Sequence, residues 1–362
     1  MDKLSRILIV DDKRQNIKVL TELLRKDYKI MASKTGEQAL NAAQGSIPPD
    51  LILLDIMMPE IDGYEVCRRL KANSRSMHIP VIFITALDSS DDEAKGFEIG
   101  AVDYITKPFN PTLVKARVKN QLELKRLRDH LEDMVKQRTV ELELTQEITI
   151  ESMGTLAEYR DPETGGHIKR TKNYIKLLAE KLKTHPKFSS FLTKETIEKL
   201  FKSAPLHDIG KVGISDQILL KPGKLTDEEF EKMKKHTIYG RDALSFAEQK
   251  LGKNSFLHLA IEMAESHQEK WDGSGYPNAW SGYQIPIPGR LMAVADVYDA
   301  LISKRVYKKP FPHSKAVEII QEGKGQHFDP DVVDAFMEVA EEFRNIAIKH
   351  ADFEDEINAL RN

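Results

Sequence analysis

The sequence predicts a multidomain chain, a doubly wound α/β domain followed by a helical linker and an all-α domain, and three observations predict it. Up to about Leu122, short apolar runs alternate with amphipathic stretches, the pattern of a parallel sheet covered on both faces. No proline follows Pro111 before Glu158, and the first glycine is Gly154, so the last helix of that domain can simply continue. Beyond it, nearly every segment repeats its apolar residues at helical spacing. A chain of 362 residues is long for a single core, and 41% hydrophobic residues are enough to fill more than one.

Each element of the first domain (residues 1–122) has its own signal. Arg6 to Val10, Tyr28 to Ala32, Leu51 to Leu54, Val81 to Thr85 and Val102 to Thr106 read as strands. Asn16 to Leu24, Gly36 to Ala43, Gly63 to Leu70, Asp92 to Ile99 and the run from Pro111 read as helices. In the linker (residues 123–154), Leu124, Leu127, Leu131 and Met134 follow a three-four-three spacing among charged neighbours, which is a heptad seam. Arg138 then interrupts it, while Val135 and Leu142 sit seven apart on a shifted stripe. Two parallel chains can pair on such a seam, which predicts a homodimer through the first domain and the linker helix.

The second domain (residues 155–350) reads as helices over Lys169 to Leu182, Lys194 to Ala204, Asp227 to Met233, Gly240 to Phe246, Leu257 to Ser266, Arg290 to Ser303, Ser314 to Gln321 and Asp331 to Arg344. Thr193, Thr226 and Asp329 are candidate N-caps. From Trp271 to Pro288, glycines 273, 275 and 282 and prolines 277, 286 and 288 exclude regular structure, and an ordered loop of that length in a compact domain is usually functional. Residues 351–362 are acidic and suggest a solvated tail.

Charge narrows the function. A formal net charge of -3, from 54 basic against 57 acidic residues, gives no global attraction to nucleic acid or to an anionic membrane. No stretch approaches the length of a membrane-spanning helix, and the single cysteine, Cys67, excludes an internal disulfide framework. The expected location is the cytoplasm, with neither nucleic acid nor membrane as partner.

Polar residues end the strands of the first domain: Asp11 and Asp12 the first, Asp55 the third, Thr85 the fourth and Lys107 the fifth. Taken singly, a strand-end aspartate is turn chemistry. Three carboxylates converging on one rim need a cation between them, and Mg²⁺ is the natural one. With Asp55-Ile-Met-Met-Pro-Glu-Ile-Asp-Gly63 and Lys107-Pro108-Phe109, these residues resemble the receiver domain of response regulators, a flavodoxin-like fold. The resemblance implies that Asp55 accepts a phosphoryl group from a cognate histidine kinase and that Asp11 and Asp12 help hold Mg²⁺. It also implies that Thr85 and Lys107 contact the phosphoryl oxygens, with Tyr104 as the switch aromatic.

In the second domain the run Ser203-Ala-Pro-Leu-His207-Asp208-Ile-Gly-Lys211 sets an imidazole beside a carboxylate that can bridge two cations, on what the apolar spacing reads as a mostly buried helix. His167, His236, His267 and Asp296 stand in segments shaped to join them, and Glu163 lies four residues before His167. Any one histidine is more often a hydrogen-bonded core residue, but four imidazoles with two or three carboxylates suit a pair of divalent transition metals, Fe, Mn, Ni or Zn. His207-Asp208-Ile-Gly-Lys211 together with Gly275-Tyr276-Pro277 resembles the HD-GYP family of metal-dependent phosphohydrolases over about residues 151–345. Segments from Asp299 to Lys308 and from Gly325 to Pro330 are similar to the family as well.

The resemblance implies hydrolysis of cyclic di-GMP to pGpG and onward to GMP. One metal would take His167, His207, Asp208 and Asp296, and the other Asp208, His236 and His267. His207, Asp208 and Lys211 would be catalytic, and Lys211, Tyr276, Arg305 and Lys308 would contact substrate. One position departs from the family. Gln268 stands where a second consecutive histidine is usual, so the second metal has one fewer strong ligand. Two metals are expected even though Glu163 matches the position that recruits a third, and turnover is expected to be slow. The alternatives are a phosphorylation-gated module that binds cyclic di-GMP or docks proteins with little turnover, and a phosphodiesterase for cyclic GMP-AMP.

Overall fold

The computed structural model describes residues 4–86, 90–158, 166–252, 256–304 and 309–361. Glu163, Arg305 and Lys308 lie outside the described residues. The chain divides into two compact units, residues 1–140 and 141–362.

In the first unit the apolar runs become a five-stranded sheet whose three central strands are buried on both faces. The strands are β1 (Arg6–Val10), β2 (Lys29–Ser33), β3 (Leu51–Asp55), β4 (Val81–Thr85) and β5 (Asp103–Thr106). Between them run α1 (Arg14–Leu24), α2 (Gly36–Gln44), α3 (Gly63–Ala72) and α4 (Ser90–Glu98). All pairings are parallel in the order β2-β1-β3-β4-β5. Side chains alternate between two cores. Leu8, Val10, Ile52, Leu54 and Phe83 meet α2 and α3, while Ile7, Ile9, Leu51, Leu53 and Ile84 meet α1 and the start of α5. The chain reverses direction across the sheet between β1 and β3, whose partners Val10 and Leu54 bring Asp11 and Asp55 side by side at the carboxyl edge.

The last helix of this sheet domain does continue. α5 spans Pro111–Glu158, beginning in the first unit and ending in the second. The second unit continues with α6 (Gly166–Leu182), α7 (Lys194–Ser203), α8 (Asp216–Leu219), α9 (Asp227–Met233), α10 (Lys235–Leu251), α11 (Leu257–Ser266) and α12 (Ile287–Ile302). It closes with α13 (His313–Glu322), α14 (Pro330–Glu338), α15 (Ala340–Lys349) and α16 (Glu354–Arg361). α12 is apolar on nearly every side and is the axis of the core, where Tyr298 meets Tyr174, Phe336 and Phe343. The Thr193, Thr226 and Asp329 side chains accept from backbone N–H groups as N-caps.

Three expectations change. The helix expected over Asp331 to Arg344 is two, because Val339 leaves helical geometry at φ -121° and ψ 19°. His207 and Asp208 do not ride on a helix: α7 ends at Ser203, and the pair sits between two short 3-10 turns, Ala204–Leu206 and Ile209–Gly213. The tail after residue 350 is not a solvated end. Asp352 pairs with Arg170, Glu356 is buried and accepts from the Lys304 and Asp352 N–H groups, and Leu360 enters the core. Asp352 and Glu356 meet donors brought from far along the chain, a long-range fact that composition does not carry.

Candidate functional site

At the carboxyl edge of the sheet, the carboxylates of Asp11, Asp12 and Asp55 offer oxygens that all lie within 4.8 Å of one another. Asn16 Nδ2 and the Lys13 N–H donate to Asp11 and fix its orientation. Lys107 Nζ reaches Asp11 Oδ2 at 3.2 Å and Asp55 Oδ1 at 3.0 Å. Burial raises the Asp55 carboxyl above its ordinary range; Lys107 opposes this, and the charges of Asp11 and Asp12 add to it. Asp12 Oδ1 is buried without a hydrogen-bond partner, so an all-oxygen set with an orphaned acceptor fits Mg²⁺. Gly63 is required beside this site, since a Cβ there would fall 2.2 Å from the Asp55 carbonyl oxygen. Thr85 is buried at the end of β4, and half-buried Tyr104 on β5 carries the Arg117 guanidinium over its ring.

In the second unit two further clusters form, His167 with His207 and Asp296, and Asp208 with His236 and His267. Asp208 stands between them. Its Oδ1 lies 3.3 Å from both His236 Nε2 and His267 Nε2, and its Oδ2 lies 3.4 Å from His207 Nε2 and 2.8 Å from Lys211 Nζ. Within the clusters, the Nε2 atoms of His167 and His207 are 3.5 Å apart, those of His236 and His267 are 3.4 Å apart, and Asp296 Oδ1 lies 3.8 Å from His167 Nε2.

The other ring nitrogens decide what these contacts are. His167 Nδ1 donates to Asp299 Oδ2 at 2.9 Å, His207 Nδ1 to the Ala204 carbonyl at 2.9 Å and His236 Nδ1 to the Met233 carbonyl at 2.8 Å. His267 Nδ1 lies 3.1 Å from the Met263 carbonyl. Each acceptor fixes the tautomer of the neutral ring as the one whose Nε2 carries the lone pair, so in that form the Nε2 atoms of both clusters face one another as acceptors. Asp208 Oδ1 is buried among them with no hydrogen-bond partner. A buried carboxylate oxygen without a hydrogen-bond partner among imidazole nitrogens is the signature of a cation site, and this nitrogen and oxygen set fits two divalent transition metals.

Electrostatics set the imidazoles apart. Burial drives His236 down to about 4, keeping it neutral. Burial would lower His207 too, but the neighbouring Asp208 carboxylate outweighs it and holds that imidazole above its ordinary value. Lys211 and His207 overcome burial to hold Asp208 well below the usual carboxylate range.

Local packing explains why the motif reads as it does. A Cβ on Gly210 would fall 1.9 Å from the His236 carbonyl oxygen, so only glycine lets the His207-Asp208 turn press on the first turn of α10. Gly275 crosses the backbone of Glu269 and Lys270 as closely, and Tyr276 N–H donates to the Gln268 carbonyl. Buried Glu269 pins the loop by accepting from the Asn278 and Trp280 N–H groups. Tyr276 faces the His236 ring at 6.2 Å, and burial, with the charges of Asp208 and Asp296, keeps its phenol protonated.

Sequence reasoning brought His167, His207, Asp208, His236, His267 and Asp296 to this list, and the structure brings all six together. It missed Asp299, Arg170, Glu269 and Glu158. Arg170 clamps Asp299 through Nε at 2.6 Å and Nη2 at 2.9 Å, holding the acceptor of His167. An arginine three residues past His167 is a helical-face signal that could have flagged it; nothing local marks Glu269.

A sheet domain with a carboxylate rim and a helical domain with a histidine and aspartate double cluster define the class, a receiver joined to a metal-binding output. Residues 7–119 match the family described as response regulator receiver domain, and residues 151–332 match that described as HD domain. The chain belongs to the response regulators that carry an HD output domain. It is 48% identical to a probable cyclic di-GMP phosphodiesterase of Vibrio cholerae, covering 98% of this chain and 82% of that protein. It is 33% identical to a cyclic di-GMP phosphodiesterase of Thermotoga maritima, covering 98% and 96%. It is 40% identical to a 3'3'-cGAMP-specific phosphodiesterase 2 of Vibrio cholerae, covering 58% of this chain and 37% of that one.

Proposed function

We propose that this chain is a response regulator whose HD output domain hydrolyses cyclic di-GMP under the control of phosphorylation at Asp55. The observation that carries the hydrolase reading is Asp208, whose Oδ1 is buried without a donor, 3.3 Å from two imidazole nitrogens, while Oδ2 faces a third at 3.4 Å. His167, His207, Asp208 and Asp296 would hold one cation, and Asp208, His236 and His267 the other. Two divalent transition metals there (Fe, Mn, Ni or Zn) supply Lewis acidity to the phosphoryl oxygens and acidify the attacking water.

The chain's own residues do the rest. Lys211, 2.8 Å from Asp208 Oδ2, is a cation beside the reacting phosphate and can give a proton to the departing 3′ oxygen. Water adds to phosphorus, the P–O3′ bond breaks, and the ring opens to linear pGpG; a second round gives GMP. The protonated Tyr276 hydroxyl donates to the substrate, and Arg305 and Lys308 hold its phosphates. Gln268 supplies no imidazole, so two metals and slow turnover are expected.

In the receiver, Asp11, Asp12 and Asp55 would hold Mg²⁺, which would supply charge neutralisation for phosphoryl transfer from a histidine kinase to Asp55. Thr85 and Lys107 then meet the added oxygens, and Tyr104 answers the change. Leu124, Leu127 and Leu131 on the linker (residues 123–154) are 58%, 59% and 55% exposed, in a heptad seam flanked by Lys125, Arg126, Arg128 and Asp129, and a second copy of the chain covers them. The one cysteine, buried Cys67, suits a cytoplasmic protein.

The test is hydrolysis of cyclic di-GMP by metal-loaded protein beside the His207→Ala/Asp208→Ala variant, with cyclic GMP-AMP as second substrate. Product from the parent alone supports the reading, and preference for cyclic GMP-AMP would move the substrate. Binding of cyclic di-GMP without product would leave a phosphorylation-gated binding module.

A further inference from the structure

α5 ends inside the output site. Its last residue, Glu158, is only 3% exposed, and its Oε1 lies 3.5 Å from His167 Nε2. That equals the separation of His167 Nε2 from His207 Nε2, 3.5 Å, and is shorter than the 3.8 Å to Asp296 Oδ1. His167 faces Asp299 through Nδ1, so in the neutral ring the atom facing Glu158 is a lone pair. Carboxylate oxygen against imidazole lone pair is repulsive in a buried site, and a cation between them removes the repulsion.

Three contacts hold the end of α5 in place. Lys172 on α6 pairs with Glu147 at 3.0 Å and with Glu151. Gly154 presses on the turn that leads to His207, where a Cβ would fall 2.5 Å from the Pro205 carbonyl oxygen. Ile150 is buried with Leu206 and Leu244.

We propose that the Glu158 carboxylate is a further ligand of the cation held by His167, His207 and Asp296, so that the helix begun in the receiver ends in the coordination sphere of the output domain. This rests on the two-metal reading above. It gives the receiver a direct lever: a shift of α5 along or about its axis moves a metal ligand, with no intervening loop.

The experiment compares the full-length parent with Glu158→Gln, of the same shape without the charge, and Glu158→Asp. Metal per chain is measured after dialysis against graded chelator, the visible spectrum after Co²⁺ loading, and melting temperature with and without metal. The expected result is one of two cations released at a chelator concentration at least about 10-fold lower in Glu158→Gln. The Co²⁺ bands of one site change, the metal-dependent rise in melting temperature shrinks while the metal-free value holds, and Glu158→Asp is intermediate. Parent-like retention of both cations with an unchanged Co²⁺ spectrum in Glu158→Gln overturns the proposal. If Glu158→Gln does not fold, the same parent-like result in Glu158→Asp overturns it. A parent that binds two cations without hydrolysing cyclic di-GMP leaves this inference standing and removes the hydrolase reading; a parent that binds none removes both.

Discussion

Each metal-facing imidazole is aimed by what its far nitrogen touches, and His167 is the one aimed by a charge. Asp299 accepts from it while Arg170 holds Asp299 from the other side, and this pairing keeps Asp299 well below the ordinary carboxylate range despite full burial. Asp299→Asn should therefore weaken metal retention about 10–100-fold, read by chelator competition, with hydrolysis recovered at excess metal. In the receiver the sign is opposite. Without a cation, burial makes the folded state hold the Asp55 proton more tightly than the unfolded chain does. The stability this confers is complete below the unfolded carboxylate range and is lost as pH rises through the folded value. In chelator at neutral pH, Asp55→Asn should melt higher than the parent, and Mg²⁺ should narrow the gap by stabilising the parent; melting curves across pH check both.

At the scale of elements, the His207-Asp208 turn has to meet α10 backbone to backbone. Gly210→Ala places a Cβ against the His236 carbonyl oxygen, and that carbonyl cannot yield without moving the turn that carries His236. The expected cost is about 1–3 kcal/mol of unfolding free energy in denaturant titration, together with loss of the cation proposed for Asp208, His236 and His267. Much of this organisation is legible in sequence: strands stand out as short apolar runs, helices repeat their apolar residues about every 3.6 positions, and Thr193 and Thr226 announce the helices they cap. The break at Val339 is not, because an apolar residue in an apolar pattern carries no local stop signal. Nor is the docking of α16, whose Glu356 reads as solvated until the Lys304 and Asp352 N–H groups are seen to donate to it.

For the whole molecule, α5 is the one element shared by both units. Its exposed leucines are the surface on which a second copy is proposed, and Leu127→Glu with Leu131→Glu should convert a dimer to a monomer in analytical ultracentrifugation. No described helix is long and apolar enough to cross a membrane.

Sequence alone determined the two kinds of fold, because apolar patterning is a property of neighbouring residues, and the family resemblance of its motifs named the carboxylate rim and the six candidate histidine and aspartate ligands. Only the tertiary structure decided that Asp208 stands between two imidazole sets, that Asp299 and Arg170 aim His167, and that Glu158 arrives from the linker. Those depend on where backbones far apart in sequence cross, and on which acceptor each Nδ1–H finds there.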